Sequence, residues 1–248
     1  MCLMADTVKM TSPVVNDATS ACWSCGEMRA AHFCSACGKV QPPMPVDYFA
    51  FFGLPRKLNL DAGLLEQEFY DLCRKLHPDL YAGLDAREQE WSLEQSSQLN
   101  DAYRTLKDPI QRTQYLLRLE GVELEEQSKA ATEKARASGT VKQQVVPPDL
   151  LEEVFELNMQ LEQLRMQKKA GEDDPALIEE LGKEKLKLEE IQEALLGELK
   201  GRWSEWDRAS EAGSDDERGQ ARDKMVDLLN RRNYIRNLVR DVNEALES

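Results

Sequence analysis

The chain has 248 residues, 41% of them hydrophobic and 31% charged, with a net charge of −14. That balance supports packed cores in one large or two to three small domains. It lacks the basic footprint that non-specific nucleic-acid binding or adhesion to anionic membrane requires, and no apolar run approaches the roughly 18 residues of a membrane-spanning helix.

Residues 1–20 carry Lys9 against Asp6 and Asp17, with no arginine. They have the pattern of neither a secretory signal nor a transit peptide. They read as a disordered lead, and the protein is expected to be cytoplasmic. Four of the six cysteines then appear as two pairs, Cys22-Trp23-Ser24-Cys25 and Cys34-Ser35-Ala36-Cys37, with Gly26 and Gly38 directly behind them. Without a secretory signal such pairs point to metal rather than disulfides. Cys22, Cys25, Cys34 and Cys37 offer the closed four-thiolate set of a structural zinc site. Iron in a rubredoxin-like site uses the same ligands. His32 reads as a surface or packing residue, Cys73 as a small packing residue and Cys2 as part of the tail. Chelation is expected to unfold residues 21–40 and leave the helical regions intact.

A Pro-rich link, residues 41–45, leads into a helical region, 46–121. Asp47 opens a short aromatic helix and Asp61 is an N-cap candidate for the next. There Leu65, Phe69, Leu72 and Leu76 share one helical face. His77-Pro78-Asp79 stops that helix, because proline removes a backbone donor and disfavours helix in the residue before it. His77 is one of only two histidines, and the tripeptide is expected to project from an exposed turn, a common place for recognition or catalysis. Trp91, Gln95, Leu99, Tyr103 and Leu106 mark a third helix. Asp108-Pro109 caps a fourth that ends at Gly121.

Residues 122–148 are polar and read as a linker. Residues 149–248 read as an antiparallel three-helix bundle. Asp149 caps a helix carrying Leu150, Leu151, Val154, Phe155, Leu157, Leu161 and Leu164. Asp174-Pro175 opens a second with Leu177, Ile178, Leu181, Leu188, Ile191, Leu195, Leu199 and Trp203. The third shows Ala221, Met225, Leu228, Arg232, Ile235, Val239, Val242 and Leu246, in steps of four and three that form a packing seam. Gly171 and the stretch from Gly213 to Gly219 supply the turns. The expected fold is thus mainly α, with a small four-cysteine metal module in residues 21–45, a helical hairpin region in 46–121 and the bundle in 149–248.

The order Tyr48-Phe49, Gly53-Leu54-Pro55, Leu60-Asp61, His77-Pro78-Asp79, Asn100-Asp101-Ala102-Tyr103, Leu106-Lys107-Asp108-Pro109 and Tyr115-Leu116-Leu117 resembles the J-domain of the HscB family of iron–sulfur cluster assembly co-chaperones. Glu153-Val154-Phe155-Glu156-Leu157-Asn158 resembles the start of that family's C-terminal three-helix domain. The paired cysteines resemble the metal-binding extension of some members. The resemblance implies an adaptor, not an enzyme, that activates the ATPase of a DnaK/HscA-type chaperone. His77, Pro78 and Asp79 would act on the chaperone, with Arg74 and Lys75 available to an acidic chaperone surface. Those two basic residues also suit the negative end of a helix dipole, and Glu66, Glu68 and Asp71 keep the basic face modest.

The resemblance also implies a surface for an IscU-type scaffold protein, formed by Leu151, Phe155, Glu156 and Met159 with Tyr234 from the last helix. Some members carry an acidic residue where Met159 stands and an arginine where Asn158 stands, so the patch is more apolar here. The competing reading of the residues puts Leu151 and Phe155 in the bundle core and makes Glu156 a solvated charge. Two other functions remain open at this point: a general J-domain co-chaperone for other clients, and a redox protein built on the four cysteines. The metal module itself has three open roles, as a local stabiliser, a homodimer contact or a partner-docking element.

Overall fold

The computed structural model describes residues 21–27, 32–122, 148–172 and 174–247. The expected lead, Cys2 and nearly all of the expected linker lie outside the described residues. The described chain is mainly helical and contains no strand, and Phe33 and Val40 form an isolated bridge. The helices are α1 (Tyr48–Phe51), α2 (Ala62–Leu76), α3 (Ala86–Lys107), α4 (Pro109–Leu119), α5 (Leu151–Ala170), α6 (Pro175–Ala212) and α7 (Asp215–Glu247), with single 3-10 turns at Pro78–Tyr81 and Pro148–Leu150. None of them is long and apolar enough to cross a membrane.

Side chains set four of the N-terminal ends. Asp47 accepts from the Ala50 amide, Asp61 from the amides of Gly63 and Leu64, Asp108 from Gln111 and Asp174 from Leu177. Each satisfies donors that the first helical turn leaves unpaired. Gly171 and Gly213 close α5 and α6 at φ 75° and 68°, a left-handed conformation that costs glycine little. Two expected boundaries differ. Asp149 does not cap α5, since Leu150 holds that position without a side-chain bond. The Asp149 carboxylate instead meets Arg231 at 2.5 Å. The turn after Gly213 is tight, and Gly219 already lies within α7.

The chain divides into two compact units. One holds the described residues up to Phe52 together with Glu66–Ala102. The other holds Gly53–Leu65 and the described residues from Tyr103 on. Residues 46–121 therefore contribute to both.

The core of the second unit is the seam of the three long helices. Val154, Leu157, Leu161 and Leu164 of α5 alternate steps of three and four. They pack with Leu177, Leu181, Leu188 and Leu195 of α6 and with Tyr234, Ile235, Leu238 and Val242 of α7. Helix α7 buries Leu229 and Leu238, while Leu228 and Val239 sit at the edge of the core. At 38 residues, α6 runs for about 57 Å, so its C-terminal third reaches past α5. There it takes other partners in the same unit. Trp203 Nε1 donates to Thr113 Oγ1 of α4 at 3.0 Å, and the Arg112 guanidinium stacks 4.7 Å from the Trp203 ring centre. Asp207, only 8% exposed, accepts from the amides of Leu58 and Asn59 and from the Asn59 side chain.

Candidate functional site

The four-cysteine module is built from two similar knuckles. In each, the glycine after the second cysteine donates back to the carbonyl of the first. Gly26 bonds Cys22 and Gly38 bonds Cys34, both at 2.9 Å, with φ of 77° and 72°. This curl turns the thiols inward. Cys22 Sγ lies 3.7 Å from Cys37 Sγ, Cys25 Sγ lies 3.6 Å from Cys34 Sγ, and all four sulfurs fall within 4.8 Å of one another. A tetrahedron with metal–sulfur bonds of about 2.3 Å has edges of about 3.8 Å. The four cysteines are therefore placed to hold a metal ion.

The protonation of the sulfurs agrees with that fit. Burial would raise the Cys22 thiol, but the amides of Cys25 and Ser24, the Gln41 side chain and Cys37 outweigh it and lower the pKa to about 6. At Cys25 the Glu27 amide pulls downward, yet burial and the neighbouring Cys34, Cys37 and Cys22 push it up to about 12. Crowded sulfurs cannot all ionise together unless a cation offsets their repulsion. His32 is not a ligand here. Its two ring nitrogens contact the Phe51 carbonyl and Gln95 Oε1, each at 2.8 Å. Cys73 is partly buried on α2, and that burial raises its thiol.

The module rests on the first half of α3, within the same unit. Trp23 bonds the Val40 carbonyl at 2.8 Å, meets Trp91 edge-on at 5.5 Å and lies under the Arg87 guanidinium at 4.9 Å. Lys39 pairs with Glu88, which is 3% exposed. Gln95, at 2% exposure, joins His32 to the Gln41 carbonyl. In the sequence Gln95 is one position on a largely apolar face. Its polarity at a buried register position was the available signal, because a buried amide requires partners.

The second element is the turn after α2. Pro78 begins a 3-10 turn whose cap is His77, and His77 Nδ1 accepts from the Asp79 amide at 3.3 Å. The same nitrogen lies 3.6 Å from the Asp79 carboxylate, beyond hydrogen-bond range. The carboxylate is left 90% exposed. Arg74 and Lys75 are exposed at the last turn of α2, with Arg74 bonded to Asp71. Ser92 and Ser96 of α3 both donate to the Leu76 carbonyl at 2.7 Å, and Tyr81 donates to the Lys75 carbonyl at 2.9 Å. The turn is thus held from both sides.

The third element lies on α5. Leu151, Phe155 and Met159 recur every four residues and are 56%, 67% and 61% exposed, so they are not bundle core. Glu156 is exposed beside them, and Met166, outside the expected patch, is exposed as well. Tyr234 does not share this surface. It is 5% exposed and packs into the bundle core, where burial raises its hydroxyl pKa. Its step on α7 falls beside Ile235 and Leu238 on the inward face.

Fold and site together define a helical protein with a His-Pro-Asp turn, a four-cysteine centre and a three-helix bundle, the architecture of HscB structures. The crystal structure of human HscB aligns over 91% of this chain and 98% of its own, with TM-score 0.57 and 23% identity, which establishes the shared fold. HscB from Vibrio cholerae aligns over 80% of this chain and 96% of its own, with TM-score 0.52 and 26% identity. Among curated proteins, the iron–sulfur cluster co-chaperone HscB homolog of Arabidopsis thaliana is 35% identical over 143 residues, 57% of this chain and 51% of the plant protein. Mouse HscB is 39% identical over 111 residues, 42% of this chain and 47% of the mouse protein. The chain spans about half the length of the curated relatives it matches. No protein-family model matches it.

Proposed function

We propose that this chain is a co-chaperone of iron–sulfur cluster assembly that binds an IscU-type scaffold and delivers it to a DnaK/HscA-type chaperone. The observation that carries the reading is the His77–Pro78–Asp79 turn, with its carboxylate 90% exposed at the end of α2. Pro78 fixes the backbone direction of the turn. His77 holds the Asp79 amide, which pins the angle at which the carboxylate leaves the surface. Asp79 then meets a cationic group on the chaperone's ATPase domain, and Arg74 and Lys75 meet acidic residues there. ATP hydrolysis stays on the partner, and the chain acts as its trigger.

The scaffold docks on the Leu151, Phe155 and Met159 stripe. Three large apolar side chains exposed at helical spacing are what a groove-binding or helix-binding partner buries. Glu156 at the margin orients a polar partner group. Tyr234 contributes by supporting α5 and α7 from within the core. Cys22, Cys25, Cys34 and Cys37 hold zinc, whose closed four-sulfur shell supplies folding energy and no open position for catalysis.

Steady-state ATPase of a DnaK-type chaperone, measured with this chain and with an IscU-type scaffold, tests the reading. The chain raises the rate, and adding scaffold raises it further. A scaffold that neither binds nor adds to the rate leaves only a general J-type co-chaperone for other clients.

A further inference from the structure

The metal module and the His-Pro-Asp turn are separate in sequence, yet one face of α3 holds both. Starting from the sulfurs, Gln41 Nε2 donates to Cys22 Sγ at 3.3 Å. Gln95 Nε2 then donates to the Gln41 carbonyl at 2.7 Å, which fixes the amide orientation and turns Oε1 toward His32. Gln41 and Gln95 are 0% and 2% exposed, so water does not replace these bonds. Ser92 and Ser96 lie beside Gln95 on the same side of the helix. Both hydroxyls end on the Leu76 carbonyl, the residue directly before His77. Glu88, one turn earlier, is buried and pairs with Lys39 of the module.

We infer that Gln95 is a positioning residue that couples occupancy of the four-cysteine centre to the geometry of the His77–Pro78–Asp79 turn. Metal binding orders the two knuckles, residues 22–27 and 34–41. The ordered module gives Gln95 its two partners and Glu88 its cation, and these fix the register and rotation of the first half of α3. The Ser92 and Ser96 hydroxyls transmit that placement to the Leu76 carbonyl. Loss of metal removes the partners of two buried groups on α3, Gln95 and Glu88, so the helix start and the turn loosen together. The coupling deepens the co-chaperone reading, on which its functional meaning rests. It makes the metal module a determinant of chaperone triggering, where the sequence suggested only a local stabiliser, a dimer contact or a docking element.

Hydrogen exchange on the full chain, zinc-loaded and chelator-treated, tests this without any chaperone present. The reporting amides are Leu80, which bonds the His77 carbonyl, Leu84, which bonds Tyr81, and Gln89, which bonds Asp85. Removing zinc should speed their exchange about tenfold or more, while overall helicity by circular dichroism is retained. In Gln95→Leu the three amides should exchange at the fast rate with or without zinc. Because coupling is reciprocal, zinc affinity by competition with a chromophoric chelator should also fall about tenfold. If Gln95→Leu loses helicity, Ser92→Ala with Ser96→Ala carries the same test, since it cuts the line at the turn and should abolish the zinc response there.

Exchange changes confined to residues 22–41, or a wild-type zinc response in these variants, would overturn the coupling. The co-chaperone reading fails separately. A chain that shows the coupling but stimulates no chaperone ATPase in either metal state leaves the coupling standing and sinks the reading.

Discussion

Asp207→Ala offers a test of how the second unit holds residues 57–59. Asp207 accepts three hydrogen bonds, from Leu58 N at 2.8 Å, Asn59 N at 3.0 Å and Asn59 Nδ2 at 2.8 Å, and it is 8% exposed. Leu58 is itself fully buried, so its amide has no route to water after truncation. A buried unpaired donor costs about 1–3 kcal/mol, and bonds to a charged acceptor lie toward the upper end. One fully buried donor and two partly hydrated ones give a loss of about 2–4 kcal/mol in local opening free energy. The neighbouring Lys57–Glu211 pair is exposed on both sides, where water and salt screen it. Hydrogen exchange at the Leu58 and Asn59 amides reads the difference directly. At about 1.4 kcal/mol per tenfold, protection in Asp207→Ala should fall about thirty- to a thousandfold, and in Glu211→Ala by less than about fivefold. Equal effects of the two substitutions, or a change under about threefold in Asp207→Ala, would refute the view that Asp207 anchors this segment.

Ile235→Ala opens a cavity at a 0% exposed position and should cost about 2–5 kcal/mol in urea unfolding. Phe155→Ala, at 67% exposure, should leave that midpoint nearly unchanged and weaken scaffold binding by calorimetry; the reverse pattern would place Phe155 in the core. The hydrogen bond from Arg231 holds the Asp149 carboxyl below its usual range. A lowered folded pKa stabilises above the unfolded value of about 3.9 and is lost as pH falls through the folded value. An acid titration of wild type against Asp149→Asn should therefore show the two converging below about pH 4. Identical curves at neutral pH would show that the pair contributes nothing. The purified protein should carry one zinc per chain and no visible absorption, whereas bound iron with a visible spectrum would favour the redox reading.

The elements legible in the sequence were those governed by local rules. Asp61, Asp108 and Asp174 cap where their position before an apolar run or a proline suggested, and the α5 and α6 leucines follow a regular period. The cysteine spacing likewise anticipated a cluster within 4.8 Å. The misread positions depend on tertiary partners. Asp149 has a cap residue's identity, but Arg231, distant in sequence, competes for its carboxylate. The family resemblance puts Tyr234 on the scaffold surface, yet its place beside Ile235 and Leu238 on α7 puts it in the bundle core. Leu151 and Phe155 stand beside core leucines in the sequence, but they are exposed, as the expected apolar patch on this helix requires. Gln95 and Asp207 required knowing which distant amides would arrive beside them, information that no local pattern carries.

Single-turnover ATP hydrolysis by a DnaK-type chaperone should accelerate with the zinc-loaded wild-type chain and scaffold. It should remain at the basal rate with His77→Gln, which lacks the ring nitrogen that holds the Asp79 amide. Equal acceleration by wild type and His77→Gln would contradict the account.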